Sequence, residues 1–100
     1  MSKHTPGPWF QHRNGSSTVY IEARIGGGLI QEVAACGPTE EGTIQQSANA
    51  KLIASAPDLL ESLSRLINWH DAIYGDDCDY SGDHPVAKAK ALIARFSDNV

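Results

Sequence analysis

The sequence predicts an α+β protein. A small antiparallel sheet of about three strands, from the N-terminal half, is expected to pack against two or three helices from the C-terminal half. Apolar residues alternate with a period of two before Gly37, and they recur at helical spacing after Thr43. Strands followed by helices are typical of this class. A sheet this small also needs a covering layer of helices to be stable.

Three short strands account for the N-terminal half. The residues Trp9–Gln11 are expected to start the first strand. The second strand covers Thr18–Ile25, and the third covers Leu29–Cys36. Asn14-Gly15 and the triple glycine Gly26–Gly28 have the composition of the two hairpin turns. In the second strand the alternation predicts that one set of residues faces the core: Val19, Ile21, Ala23 and Ile25.

The first helix is predicted to begin at Thr43. A threonine followed three residues later by Gln46 matches a capping box, and Pro57 predicts that the helix stops near Ser55 or Ala56. The expected apolar stripe of this helix consists of Ile44, Ala48, Leu52 and Ile53.

Two more helices complete the prediction. Pro57 is suited to the first turn of the second helix, and Gly75 is suited to its end. Asp83 is predicted to cap the third helix, with Pro85 in its first turn. The apolar residues of the second helix exceed what one buried face needs, and Trp69 lies beside the main stripe, which favours a homodimer or higher oligomer.

Composition and charge narrow the function classes. A chain of 100 residues favours a single domain, with an extended lead-in over 1–7, an acidic loop over 75–83 and a frayed tail over 97–100. The net charge of −4 disfavours direct binding to nucleic acid.

Neither a signal peptide nor an apolar run of about 20 residues is recognisable. We therefore expect a cytoplasmic protein with free thiols and no membrane partner.

Two segments resemble a known group of proteins. They are Thr5-Pro6-Gly7-Pro8-Trp9 and the helical segment Ala48–Leu63, which reads ANAKLIASAPDLLESL. Together they resemble small bacteriophage and prophage accessory proteins, with the Ead-like pattern of lambdoid phages, over roughly residues 4–67. The resemblance implies a phage product that acts in the cytoplasm of a bacterial host. Because many such products counter host immunity, it also implies an anti-defence role.

The leading hypothesis is a non-enzymatic protein that sequesters a small nucleotide-type immune signal. Trp9, after two prolines, could stack on a base, or it could instead cover the open end of the core. Asn49 could reach a ligand, or it could be buried and bond the Pro-Gly-Pro backbone. The candidate ligand-binding residues are Pro8, Trp9, Arg13, Arg24 and Asn49.

Two other hypotheses stay open. An acidic inhibitor could bind a host defence protein, such as a CRISPR or restriction component, because clustered carboxylates can complement a basic groove. The candidate partner-binding residues are Asp76, Asp77, Asp79 and Trp69. The protein could instead be a structural or regulatory phage component without a ligand.

The titratable residues do not form a recognisable catalytic or metal-binding set. The histidines and the cysteines lack the spacings of zinc sites. The segment from Asp77 resembles the start of a calcium-binding loop, but Lys88 stands where the loop needs a glutamate. We expect no metal, no cofactor and no enzymatic activity.

Overall fold

The strands precede the helices along the chain. The computed structural model describes residues 4–13, 17–75 and 83–96. Within these ranges the elements are β1 (Trp9–Arg13), β2 (Val19–Arg24), β3 (Ile30–Cys36), α1 (Thr43–Ala54), α2 (Ala56–Tyr74) and α3 (Pro85–Ala94). Three antiparallel strands followed by three helices confirm the predicted α+β class.

The sheet has the order β1-β2-β3, and both strand pairs are antiparallel. Val19, Ile21 and Ala23 are buried, as their alternation predicted. Ile25 was also expected in the core, but it is 50% exposed. The reason is that β2 ends at Arg24, so Ile25 already belongs to the turn.

The turn between β2 and β3 is built by the predicted triple glycine. Gly26, Gly27 and Gly28 all have positive φ values, of 95°, 61° and 77°, which glycine adopts without steric strain. The Ile25 amide donates a hydrogen bond of 3.1 Å to the carbonyl of Leu29 and closes the turn. The other predicted turn, Asn14-Gly15, lies outside the described residues.

Helix α1 covers the sheet and contacts all three strands. The face that it turns to the sheet carries Gln46 and Ala50, which are both buried. The predicted apolar stripe is wrong for Ile44 and Leu52, which are 85% and 63% exposed, and for Ala48, which is also exposed. Its fourth member, Ile53, is half-buried and packs against the core cluster. Small Ala50 lets the helix approach the sheet closely, and Gln46 finds backbone acceptors there, so this face is favoured over the more apolar one.

The helix ends agree with the prediction better than the helix starts do. Helix α1 ends at Ala54, just before Pro57, and α2 ends at Tyr74, just before Gly75. The capping box at Thr43 is wrong: Gly42 is the capping residue, and Thr43 is already helical. The predicted cap at Asp83 is also wrong, because the Nδ1 atom of His84 accepts the hydrogen bond of the Val86 amide, at 3.1 Å.

The chain divides into two compact units. The sheet unit consists of Thr5–Asp58 and contains the sheet and α1, whereas the helical unit contains the described residues from Leu59 onward, with α3 and most of α2. The expectation of a single domain stays a prediction. In the described ranges, every helix is too short or too polar to cross a membrane.

Candidate binding surfaces

The two segments that carry the phage resemblance meet inside the sheet unit. Gly7 lies so close to Pro57 that a Cβ atom added at Gly7 would be 2.9 Å from the Cβ atom of Pro57. The contact therefore needs a residue without a side chain at position 7. Asn49 was expected either to be buried and join the two segments or to reach a ligand; it is exposed, so the first alternative is wrong.

Trp9 is half-buried and packs against the core cluster that contains Val19, Ile21 and Ala50. Its indole Nε1 donates a hydrogen bond of 3.1 Å to the carbonyl of Thr5. A tryptophan held in this way covers the edge of the core, which agrees with the alternative in which it acts as a lid.

The predicted ligand-binding residues are divided between different surfaces. Trp9 lies opposite Ala23, and Arg13 lies opposite Val19, so both belong to the core side of β1. Arg24 follows Ala23 directly and therefore lies on the other side of the sheet. Pro8 and Asn49 are exposed elsewhere in the sheet unit. The structure does not gather these residues into one site, and their role in ligand binding stays a prediction.

The side of the sheet away from α1, here called the outer sheet face, has its own contacts. The guanidinium of Arg24 lies over the ring of Phe10, at 5.2 Å from its centre. His12 Nδ1 lies 3.3 Å from the Glu22 carboxylate. Tyr20, opposite His12, belongs to the same face and is half-buried. The outer sheet face therefore presents aromatic rings together with one arginine.

The helical unit has an apolar groove between α2 and α3. We call it the helical groove. Its volume is about 320 Å³. Ile67, which is buried, forms part of its floor. The other apolar residues that line it are Leu63, Leu66, Trp69, Pro85, Val86 and Ala89.

The groove continues into an exposed apolar surface on α2. Leu66 and Trp69 are each 57% exposed at its rim. Leu59 and Ile73, one heptad before and one heptad after Leu66, are also more than half exposed. The surplus of apolar residues on α2 predicted such a surface. An exposed, contiguous apolar surface of this kind is typical of an interaction site.

A small polar network fixes α3 against α2 beside the groove. The Oδ1 atom of Asp71 accepts hydrogen bonds from His70 Nδ1 and from Lys90 Nζ, each at 3.1 Å. These bonds, first that of His70 and then that of Lys90, hold the pKa of Asp71 below its usual value. The ring of His70 also lies 5.1 Å from that of Tyr74.

Sequence reasoning missed this network. The adjacency of His70 and Asp71 was visible, but nothing local indicated that Lys90, on another helix, would join them. The network can position the walls of the groove. Among the described residues, no three His, Cys, Asp or Glu side chains could hold a metal ion together. Asp76, Asp77, Cys78 and Asp79 lie outside the described residues.

Comparison with known proteins gives a match to a family model. The model of a family described as Salmonella phage P22 protein Y8K6 matches residues 1–97 of the chain. Curated proteins and solved structures give no match. Because the matched region covers nearly the whole chain, the protein belongs to the Salmonella phage P22 protein Y8K6 family.

Proposed function

We propose that this phage protein is a non-enzymatic accessory protein that binds a protein of the bacterial host through the helical groove. The observation that carries the proposal is the half-exposed Trp69 at the rim of an apolar groove. Tryptophan is the residue type most enriched among those that dominate binding energy at protein interfaces. An anti-defence role and action in the host cytoplasm are part of the proposal, and they rest on the resemblance and on the phage family.

The shape of the groove supports a helical segment of the partner as the occupant. A cleft between two helices accepts the apolar face of an amphipathic helix, whose bulky side chains recur at every turn. Leu59, Leu66 and Ile73 extend the apolar surface along α2. Together they would contact a helix over several turns.

Affinity capture from host lysate, read by quantitative mass spectrometry, tests the proposal. The bait proteins are the wild type, Trp69→Ser and, as matched control, Leu52→Ser, which changes a similarly exposed apolar residue on α1. We expect the wild type and Leu52→Ser to capture a host protein that Trp69→Ser does not capture. The same host protein, once purified, should form a complex with the purified wild type. If no capture depends on Trp69, or if Leu52→Ser causes the loss, the proposal is wrong.

The expected homodimer or higher oligomer competes for the same surface. Sedimentation velocity of the wild type and of Trp69→Ser separates the two assignments. A wild-type dimer that Trp69→Ser dissociates would assign the groove to a second copy of the chain and contradict the proposal.

The hypothesis of an acidic inhibitor is tested in the same capture experiment with the variant Asp76→Asn/Asp77→Asn/Asp79→Asn. If this variant still captures the host protein, these carboxylates do not contribute to the interface.

A second candidate keeps the sequestered nucleotide but moves it to the outer sheet face. Phe10, Tyr20 and Arg24 supply the stacking and cation–π groups with which such faces hold bases. Calorimetry with a panel of cyclic nucleotides and ADP-ribose derivatives tests it. Binding that Phe10→Ala abolishes and Trp9→Phe preserves would support this candidate, whereas no heat with any compound would remove it.

A further inference from the structure

We infer that the helix bound in the helical groove carries acidic residues along the flank that faces α3, where they pair with Lys88 and Arg95. This inference rests on the proposed function and adds the chemistry of the partner. It follows from the distribution of charge on α3, from the surface between its cations and the groove, and from the small number of those cations.

The segment Pro85–Phe96 is locally basic in an acidic protein. It contains Lys88, Lys90 and Arg95 and no carboxylate, although the whole chain has a net charge of −4. Lys90 already forms an ion pair with Asp71. Lys88 and Arg95 are exposed, and neither forms an ion pair within the part of the chain that the structure describes. Two cations are thus available to a partner.

Lys88 lies in α3, and Arg95 directly follows its last residue with a helical backbone, so both cations lie along the same side of this segment. They are seven residues apart, which is two helical turns or about 10 Å along the axis. A shallow depression of about 430 Å³ runs between them and is lined by Ala87, Lys88, Ala91, Leu92 and Arg95. A bound helix could place two carboxylates at the same spacing.

Apolar side chains connect these cations with the groove. Successive residues of a helix are turned by about 100°, so Leu92 falls between the side that carries Lys88 and the side that carries Ala89. Leu92 is 43% exposed, and Phe96, one turn further, is 44% exposed. A helix seated in the groove would therefore meet apolar surface first and the two cations at its edge. An amphipathic helix with an acidic flank fits this order.

The small number of cations favours a protein over other anionic partners. Binding to a nucleic acid backbone gains affinity from each phosphate neutralised, and two cations neutralise few. An anionic membrane likewise requires a cluster of basic residues. Arginine beside an apolar anchor is instead a common combination at protein interfaces.

Fluorescence anisotropy with two synthetic peptides tests the inference. Both peptides are amphipathic helices with the same leucine-rich face, and one flank carries glutamates in the first and lysines in the second. We expect the acidic peptide to bind the wild type about tenfold more tightly than the basic peptide. The preference should shrink as the salt concentration rises, because surface charge pairs are screened. Lys88→Glu/Arg95→Glu should reverse the preference, whereas the matched control Lys51→Glu, on α1, should not.

The outcomes separate this inference from the proposed function. Equal binding of both peptides, lost in Trp69→Ser, would leave the groove as the binding site and overturn the acidic flank. Binding of neither peptide would overturn the proposed function together with the inference. Binding of a DNA duplex or of anionic phospholipid vesicles, abolished by Lys88→Glu/Arg95→Glu while the acidic peptide fails to bind, would assign the cations to that ligand instead. Circular dichroism of each variant confirms that it is folded.

Discussion

Gly7 and Pro57 are in such close contact that no larger residue fits at position 7 without movement. A Cβ atom at Gly7 would lie 2.9 Å from the Cβ atom and 3.3 Å from the Cγ atom of Pro57. The proline ring is rigid and cannot turn aside. This contact joins the N-terminal segment, which positions Trp9 against the core, to Pro57 in the first turn of α2.

Gly7→Ala is expected to destabilise the sheet unit by about 1–3 kcal/mol, because the added methyl group forces the two segments apart. Denaturant unfolding, followed by tryptophan fluorescence, measures the change. Gly37→Ala is the matched control, since a Cβ atom at Gly37 would meet nothing within 4 Å. Equal stability of the two variants would mean that the contact is not tight in solution.

Gln46 is the buried polar residue whose loss should be most damaging. Its Nε2 atom donates to the carbonyl of Ser17 and, at 2.8 Å, to that of Cys36. Gln46→Leu keeps the volume but removes the hydrogen bond that Gln46 donates to the buried carbonyl of Cys36, which should cost about 1–3 kcal/mol. The exposed neighbour Gln45 provides the control variant Gln45→Leu. Unfolding midpoints that coincide for the two variants would contradict this role of Gln46.

Two isoleucines give a direct comparison of buried and exposed positions. Ile21 is fully buried, whereas Ile44 is 85% exposed. Ile21→Ala should lower the free energy of unfolding by about 2–5 kcal/mol through lost burial and the cavity left behind. Ile44→Ala removes the same atoms and should change it by less than about 0.5 kcal/mol. A large effect of Ile44→Ala would indicate that this side of α1 is covered in solution.

The lowered pKa of Asp71 predicts how the stability of the helical unit changes at acidic pH. Its pKa is lowered in the folded state by His70 and then by Lys90. The ionised group therefore stabilises the fold fully above the pKa of an unfolded aspartate, about 3.9. That contribution is lost as the pH falls from there through the lower native pKa.

Acid unfolding of the wild type and of Asp71→Asn checks the sign. The wild type should lose more stability than the variant below about pH 4. In an NMR titration, Lys90→Met should raise the pKa of Asp71 only part of the way, because the His70 hydrogen bond remains. Parallel acid profiles of the wild type and Asp71→Asn would show that the network adds nothing to stability.

Local sequence patterns predicted the elements well. Alternation identified β2 because one side of that strand is buried and the other is not. The triple glycine, Pro57 and Gly75 marked boundaries because each restricts or frees the backbone locally.

The face that α1 turns to the sheet could not be predicted in the same way. Ile44 and Leu52 looked like core residues, and Gln46 looked like part of a helix cap. The buried position of Gln46 depends on Ser17 and Cys36, which only the folded chain brings near it. A pattern confined to one helix contains no information about such acceptors. The same limit explains why Asn49 was expected to be buried and why Lys90 was not connected with Asp71.

The most direct test of the proposed function is the exposure of the two tryptophans in the complex with a captured host protein. Hydroxyl-radical footprinting compares the oxidation rates of Trp69, which is 57% exposed, and of the half-buried Trp9. We predict that the partner protects Trp69 strongly and leaves the rate at Trp9 unchanged. Protection of Trp9 with an unchanged rate at Trp69 would contradict binding through the helical groove.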